Sequence, residues 1–231
     1  MTYPPAVRPM SGPRAHAVQL YGHDDDALVA GLARYVRDGL VQGDATLVIS
    51  TTAHWGAVLH QLRREGVGLA GPVREGTLVF LDADAVLARL VSEDPLSWES
   101  FQGIVGAEIR RLRARSELRG LRVFGEVVGL LWLQGRCATA LHLEELWNRL
   151  AETDPFQLHC AYPIEVLGEE SERSHIGPVL QLHSHLMLGG MLGGTDSPAA
   201  GRSAADEVDR PGTAPAARVV DRTWYCSARP G

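Results

Sequence analysis

Residues 16–51 read HAVQLYGHDDDALVAGLARYVRDGLVQGDATLVIST, and the order of patterns within them decides the fold. Residues 15–21 alternate weakly and stop at Gly22, as a short strand does. Asp24 or Asp25 then stands where a helix N-cap belongs, with further carboxylates in the first turn, where the helix dipole favours negative charge. Leu28, Leu32, Tyr35, Val36 and Leu40 recur at helical spacing, and Gly39 and Gly43 close the helix. Residues 45–50 form a nearly continuous apolar run, the pattern of a parallel strand covered on both faces. Strand, loop, helix and strand make the opening unit of an α/β domain. In a nucleotide-binding protein of that kind, the first loop would hold a phosphate with backbone amides and a cation. Here the loop, residues 21–26, is acidic.

The same alternation continues outward. Thr51 or Thr52 caps a helix that ends at Gly66, residues 78–81 form a third strand, and a short helix runs to about Val91. A longer helix is expected from Trp98 to about Ser116, with Arg110, Arg111, Arg113 and Arg115 in its last turns. A fourth strand, 121–124, ends in Gly125-Glu126, and helical sequence follows over 127–133 and 137–152. Residues 157–162 read as a fifth strand stopped by Pro163, and 176–188 as one more helix. Strands alternating with helices predict an α/β fold with a mainly parallel sheet of five or more strands and helices on both faces. One domain is expected over 15–188. The Pro-rich residues 1–14 read as a disordered N-terminus, and 189–231, rich in Gly, Ala, Pro and Ser, as a disordered tail. Within that tail, 219–226 is either a small docking segment or an accident of composition.

At 231 residues, 45% hydrophobic and 22% charged, the chain suits one globular domain with a sizeable core. A net charge of −6 argues against nucleic acid or an anionic membrane as partner. No apolar run approaches the ~20 residues that span a bilayer, and the N-terminus lacks the apolar core of a secretory signal. Three widely spaced cysteines, Cys137, Cys160 and Cys226, read as free thiols in a reducing compartment, so the expected location is cytoplasmic. All 22 basic residues are arginine. Without lysine there is no phosphate loop of the GxxxxGK[ST] form and no Schiff-base chemistry.

Open parallel sheets bind ligands beyond the carboxyl ends of their strands. That rule selects Tyr21, His23 and Asp24 after the first strand, Thr51, Thr52 and His54 after the second, Asp82 and Asp84 after the third, Glu126 after the fourth and Tyr162 after the fifth. Each has a structural competitor. Asp24 and Thr51 are natural helix caps, Tyr162 a packing aromatic, and Glu126 pairs with an arginine or faces a cavity. His183 and His185 invite a metal reading, but two residues apart on a helix they point to different faces. With no CxxC or HExxH, no metal site is expected. His159 and Cys160 point to opposite faces of their strand, and the apolar setting of Cys160 suggests a buried thiol. No catalytic residues and no cofactor are predicted.

An ordered series of motifs carries a family resemblance. HAVQLY (16–21), GLARYVRDGLVQGDATLVIST (31–51), VFGEVVGLLWLQG (123–135) and LHLEELWNRLAETDPFQLHCAYPIEV (141–166) resemble the MEDS sensory domain of DcmR-type methanogen and methylotroph regulators. The late QLHSHL (181–186), read as part of a histidine-containing helix, resembles that family's end. The resemblance covers about residues 15–187 and implies a RecA/KaiC-like fold that has lost its phosphate loop. It further implies a domain that senses small molecules such as hydrocarbon derivatives and is usually joined to a histidine kinase or a DNA-binding domain. Neither output module is recognisable, so the expectation is a non-catalytic sensory module binding a small molecule and signalling to a kinase or transcription regulator in trans. Two competitors stand beside it: a degenerate NTPase or metal-dependent hydrolase using Asp24 and Glu126, and an interaction module with an empty pocket.

Overall fold

Six short strands, every neighbouring pair parallel, form one sheet in the order β3-β2-β4-β5-β1-β6. The computed structural model describes residues 15–92, 96–115, 119–164 and 170–188. Its first half holds β1 (His16–Leu20), α1 (Asp25–Gln42), β2 (Ala45–Ser50), α2 (Thr52–Arg64), α3 (Ala70–Glu75), β3 (Leu78–Asp82) and α4 (Ala83–Leu90). Then come α5 (Trp98–Phe101), a π-helical turn (Gln102–Gly106), α6 (Ala107–Arg113), β4 (Leu121–Gly125), α7 (Val127–Leu133) and α8 (Cys137–Thr153). The described part closes with β5 (Gln157–Tyr162), α9 (Glu170–Gln181) and β6 (His185–Leu188). The predicted tails, 1–14 and 189–231 with 219–226, lie outside the described residues.

Parallel neighbours need crossovers, and the helices that supply them cover both faces. The residues around α1, α2 and α3 build one core layer, and those of α4 to α9 the other. β1, β2 and β4 are buried at every position. No helix among the described residues is long and apolar enough to cross a membrane.

Three expectations change. The helix expected over 176–188 ends at Gln181, and His185–Leu188 is a strand instead. The cause is the open edge of β1: the Ser184 amide donates to the His16 carbonyl at 2.8 Å, and Ser184 Oγ accepts from the His16 amide at 2.9 Å. β6 then occupies that edge, with Ala17 opposite His185. The helix expected from Trp98 does continue to Arg113, but it takes a π turn at Gln102–Gly106, which contains Gly103 and Gly106. Cys160 is free and buried, whereas Cys137 is disulfide-bonded, so the expectation of free thiols fails at Cys137. Sequence spacing does not report which thiols meet in space.

Helix α1 lies over a row of buried polar side chains, and two glycines make room for them. A Cβ on Gly31 would stand 2.4 Å from Gln19 Oε1, and one on Gly39 2.8 Å from Arg122 Cδ. Beneath Gly31, Gln19 Nε2 donates to the Ala27 carbonyl at 2.8 Å, and its Oε1 lies 3.1 Å from His159 Nε2. Beneath Gly39, Arg122 Nε donates to Asp44 at 2.9 Å, and its guanidinium lies over the Tyr35 ring. Tyr35 Oη donates to the Gln157 carbonyl at 2.9 Å.

Burial, reinforced by the positive charges of His16 and His183, pushes His159 down to about 3. Its folded value therefore lies below its ordinary 6.5, and the unfolded chain takes up the proton first. Stability is lost as pH falls from about 6.5 towards 3, by up to about 1.4 kcal/mol per pH unit. Urea denaturation across that range is expected to give a flatter acid limb for His159→Gln than for the unsubstituted chain; coincident limbs would show that His159 does not carry this dependence.

Candidate functional site

β2 and β4 are neighbours, and at their carboxyl ends stand Ser50 and Glu126. Glu126 is 2% exposed, and both of its oxygens are engaged. Oε2 accepts from Ser50 Oγ at 2.6 Å and from the Thr51 amide at 3.0 Å. Oε1 lies 2.6 Å from His54 Nδ1. His54 is brought there by the first turn of α2, whose cap is Thr51: the hydroxyl oxygen accepts from the His54 amide at 3.3 Å. On its other side, His54 Nε2 lies 3.7 Å from Asp25 Oδ2, in the first turn of α1. A chain of carboxylate, imidazole and carboxylate thus leads from the buried strand end towards the surface. The hydrogen bond to Glu126 raises the His54 pKa above its ordinary value; burial opposes this, and the charges of Glu126 and Asp25 add to it.

This arrangement holds a proton well. Ser50 and His54 both contact the carboxylate, so Ser50 donates to Glu126 and forms no serine–imidazole pair of the triad kind. The acidic first loop is also explained. Asp24 Oδ1 accepts from the Asp26 and Ala27 amides at 3.0 and 3.2 Å, so the protein's own carboxylate takes the helix-start donors that an anionic ligand would use.

Of the residues selected from strand ends, Thr51, His54 and Glu126 meet, and Thr52 Oγ1 donates to Asp82 at 2.6 Å. Asp24 caps α1 beside Asp25, and His23 is exposed in the same loop. Tyr21 is buried in the layer beneath α1, while Tyr162 belongs to the layer on the other face. Sequence reasoning passed over Ser50 and Asp25, which continue the pattern of polar residues after apolar strands.

It also passed over a second cluster, to which Tyr162 belongs. Tyr162 Oη donates to Glu144 Oε1 at 2.9 Å. Glu144 Oε2 lies 3.2 Å from His16 Nε2 and accepts from Cys160 Sγ at 3.3 Å. His183 Nε2 stands 3.3 Å from Glu144 Oε1. Four parts of the chain converge here: β1, α8, β5 and the turn between α9 and β6. Burial pushes the Glu144 carboxyl up, but the charge of His183 and the hydrogen bond from His16 outweigh it and hold the group well below the usual range. Burial, then the negative charge of Glu144, push the Cys160 thiol and the Tyr162 phenol up. The signal for Glu144 lay in its helix: Ala140, Leu143, Trp147 and Leu150 mark the inward face, and residue 144 falls on it. The helix argument against His183 does not apply, because His183 follows the helix end.

Comparison with protein families matches residues 15–184 to the model described as MEthanogen/methylotroph, DcmR Sensory domain. The chain belongs to the MEDS family. No curated protein matches it. Both polar clusters of this MEDS domain lie within the matched span, which begins one residue before His16 and ends one after His183.

The His54–Glu126 pair gives a testable pH dependence. Because the folded His54 pKa is raised above 6.5, its contribution to stability is fully present below 6.5 and is lost as pH rises through the folded value. In Glu126→Gln, burial becomes the opposing influence left over, and an NMR titration of the His54 ring is expected to show its midpoint falling. An unchanged midpoint would mean that Glu126 does not set it.

Proposed function

We propose that this MEDS domain is a non-catalytic regulatory module that takes up a small, mainly apolar molecule and relays its presence to a partner protein, a histidine kinase or transcription regulator. The observation that carries the reading is a cleft of about 560 Å³ between α2, α3 and β3, walled by Trp55, Leu59, Val67, Val73 and Phe80, with Arg63 at its rim. Its size suits a small ligand, and one cation among apolar walls suits a short hydrocarbon carrying an oxygen or halogen. Trp55 stacks on Phe80, with ring centroids 5.5 Å apart, and builds the floor of an aromatic seat.

Helix α2 connects this cleft to the strand ends. Trp55, Leu59 and Arg63 line the cleft, and the adjacent His54 holds Glu126. With both Glu126 oxygens already engaged, the strand-end residues serve in this reading as the reporter and not as the seat. A ligand that shifts α2 would strain a 2.6 Å contact, but only differential affinity for the two positions of α2 would move their populations. Membership of a sensory family supports the regulatory role. The bonding of Ser50 to a carboxylate, and the self-capped first loop, weigh against an NTPase or hydrolase.

Thermal-shift measurements with short alcohols, carboxylates and alkyl halides test the seat. At 100 times Kd, a ligand is expected to stabilise the domain by about 2.7 kcal/mol. Val73→Trp, at a position 56% exposed, should fill the cleft and abolish the shift without disturbing the core. An equal shift in Val73→Trp would place the ligand elsewhere, and divalent-dependent ATP turnover that Glu126→Gln abolishes would replace the sensory reading with an enzymatic one.

A further inference from the structure

The second cluster has a property that its hydrogen bonds do not explain. Asn148 Nδ2 donates to the Leu182 carbonyl at 3.1 Å, which turns Asn148 Oδ1 towards His16 Nδ1 at 2.9 Å. An amide oxygen accepts only, so His16 Nδ1 carries a hydrogen. His183 Nδ1 lies 2.6 Å from the Val179 carbonyl and carries a hydrogen for the same reason. Both rings are therefore held from behind, with Nε2 turned inward. His183 Nε2 is buried and has no hydrogen-bond partner, although Glu144 Oε1 is 3.3 Å away. Imidazoles fixed through Nδ1–H to a carbonyl or amide oxygen, with Nε2 presented to a shared point, are the usual posture of metal-ligating histidines.

We propose that His16, Glu144, Cys160 and His183 form a binding site for a divalent transition metal, zinc by the character of its donors. Tetrahedral zinc, with bonds of about 2.0–2.3 Å, sets neighbouring ligand atoms about 3.3–3.6 Å apart. His16 Nε2 is 3.2 Å from Glu144 Oε2 and 3.4 Å from Cys160 Sγ, and Cys160 Sγ is 3.3 Å from Glu144 Oε2. All four ligand atoms lie within 4.8 Å of one another. Two nitrogens, one sulfur and one carboxylate oxygen favour zinc over magnesium or calcium, which take oxygen. Charge agrees: a thiolate and a carboxylate bring two negative charges, which a divalent ion cancels in a place too buried to leave them bare. Tyr162, donating to Glu144 Oε1, and Asn148, behind His16, become supporting partners of the ligands. The ion would pin the α9–β6 turn to β1, α8 and β5, tying the last strand to the sheet. The site is distinct from the α2 cleft and from Glu126, which belong to the other face.

The test uses the tag-free full chain, reduced and stripped with a chelator, then titrated with zinc and, separately, with cobalt. One equivalent of zinc per chain is expected, with a raised Tm. Cobalt is expected to give tetrahedral d–d bands and a thiolate-to-metal charge-transfer band that Cys160→Ser removes. His183→Ala, in a turn outside the regular elements, should weaken zinc binding by about 100-fold or more, and Asn148→Ala by about 10–100-fold. His185→Ala, whose ring bonds to Ser184 outside the cluster, should bind as the unsubstituted chain does. Failure of the unsubstituted chain to take up a stoichiometric ion overturns the proposal and leaves a proton-bridged network, as does zinc uptake undiminished by His183→Ala. A cobalt spectrum without the thiolate band removes Cys160 from the site, even where the variants do not fold.

Discussion

The structure depends on one constraint: its central strands are buried on both faces, so every polar side chain they carry must find its partner without water. An isolated hydroxyl, amide or charge in such a place costs several kcal/mol, and a bare ion far more. Among the described residues the domain meets most of this in four sets, while Thr46 Oγ1 and His159 Nδ1 stay buried without a hydrogen-bond partner. Gln19 joins His159 to the backbone of α1, Arg122 is held by Asp44, Glu126 by Ser50, Thr51 and His54, and Glu144 by His16, Cys160, Tyr162 and His183. Pairs of this kind contribute little net stability compared with apolar packing, yet breaking one by removing a single partner is costly.

The sets divide between the two layers, and β5 belongs to both. His159 faces α1, while its neighbour Cys160 faces α8, as alternation along a strand demands. The depressed pKa of His159 owes part of its shift to the charges of His16 and His183, which belong to the opposite cluster. Helix α2 makes a comparable link within its own layer, since consecutive residues contact Glu126 and line the apolar cleft.

Much of the frame was legible because it rests on local chemistry. The strands at 45–50, 78–81 and 157–162 and the helices that follow them announce themselves by apolar runs, caps and breakers, as do the capping roles of Asp24 and Thr51. The position of Glu126, directly after an apolar strand, marked it as a buried carboxylate. Its partner proved to be His54 and not an arginine, because the chain returns through α2 to lay an imidazole there. The last segment was read wrongly for a physical reason. HSHL has no periodicity long enough to choose between helix and strand, and the choice is made by the unpaired edge of β1, some 168 residues away in sequence, to which Ser184 bonds.

What the sequence determined by itself was the α/β class, the parallel sheet, the absence of a lysine-containing phosphate loop, and, through its ordered motifs, the family. Each of these is a matter of neighbouring residues, of residue types that are absent, or of long motif order. Only the tertiary structure decided which polar residues meet. His16, Glu144, Cys160 and His183 lie on four separate parts of the chain, and no spacing relates them. They converge because β1 and β5 are paired, α8 lies over that pair, and β6 closes the edge beside it. Convergence of that kind is a property of strand order and face, which contacts remote in sequence set and local pattern does not encode.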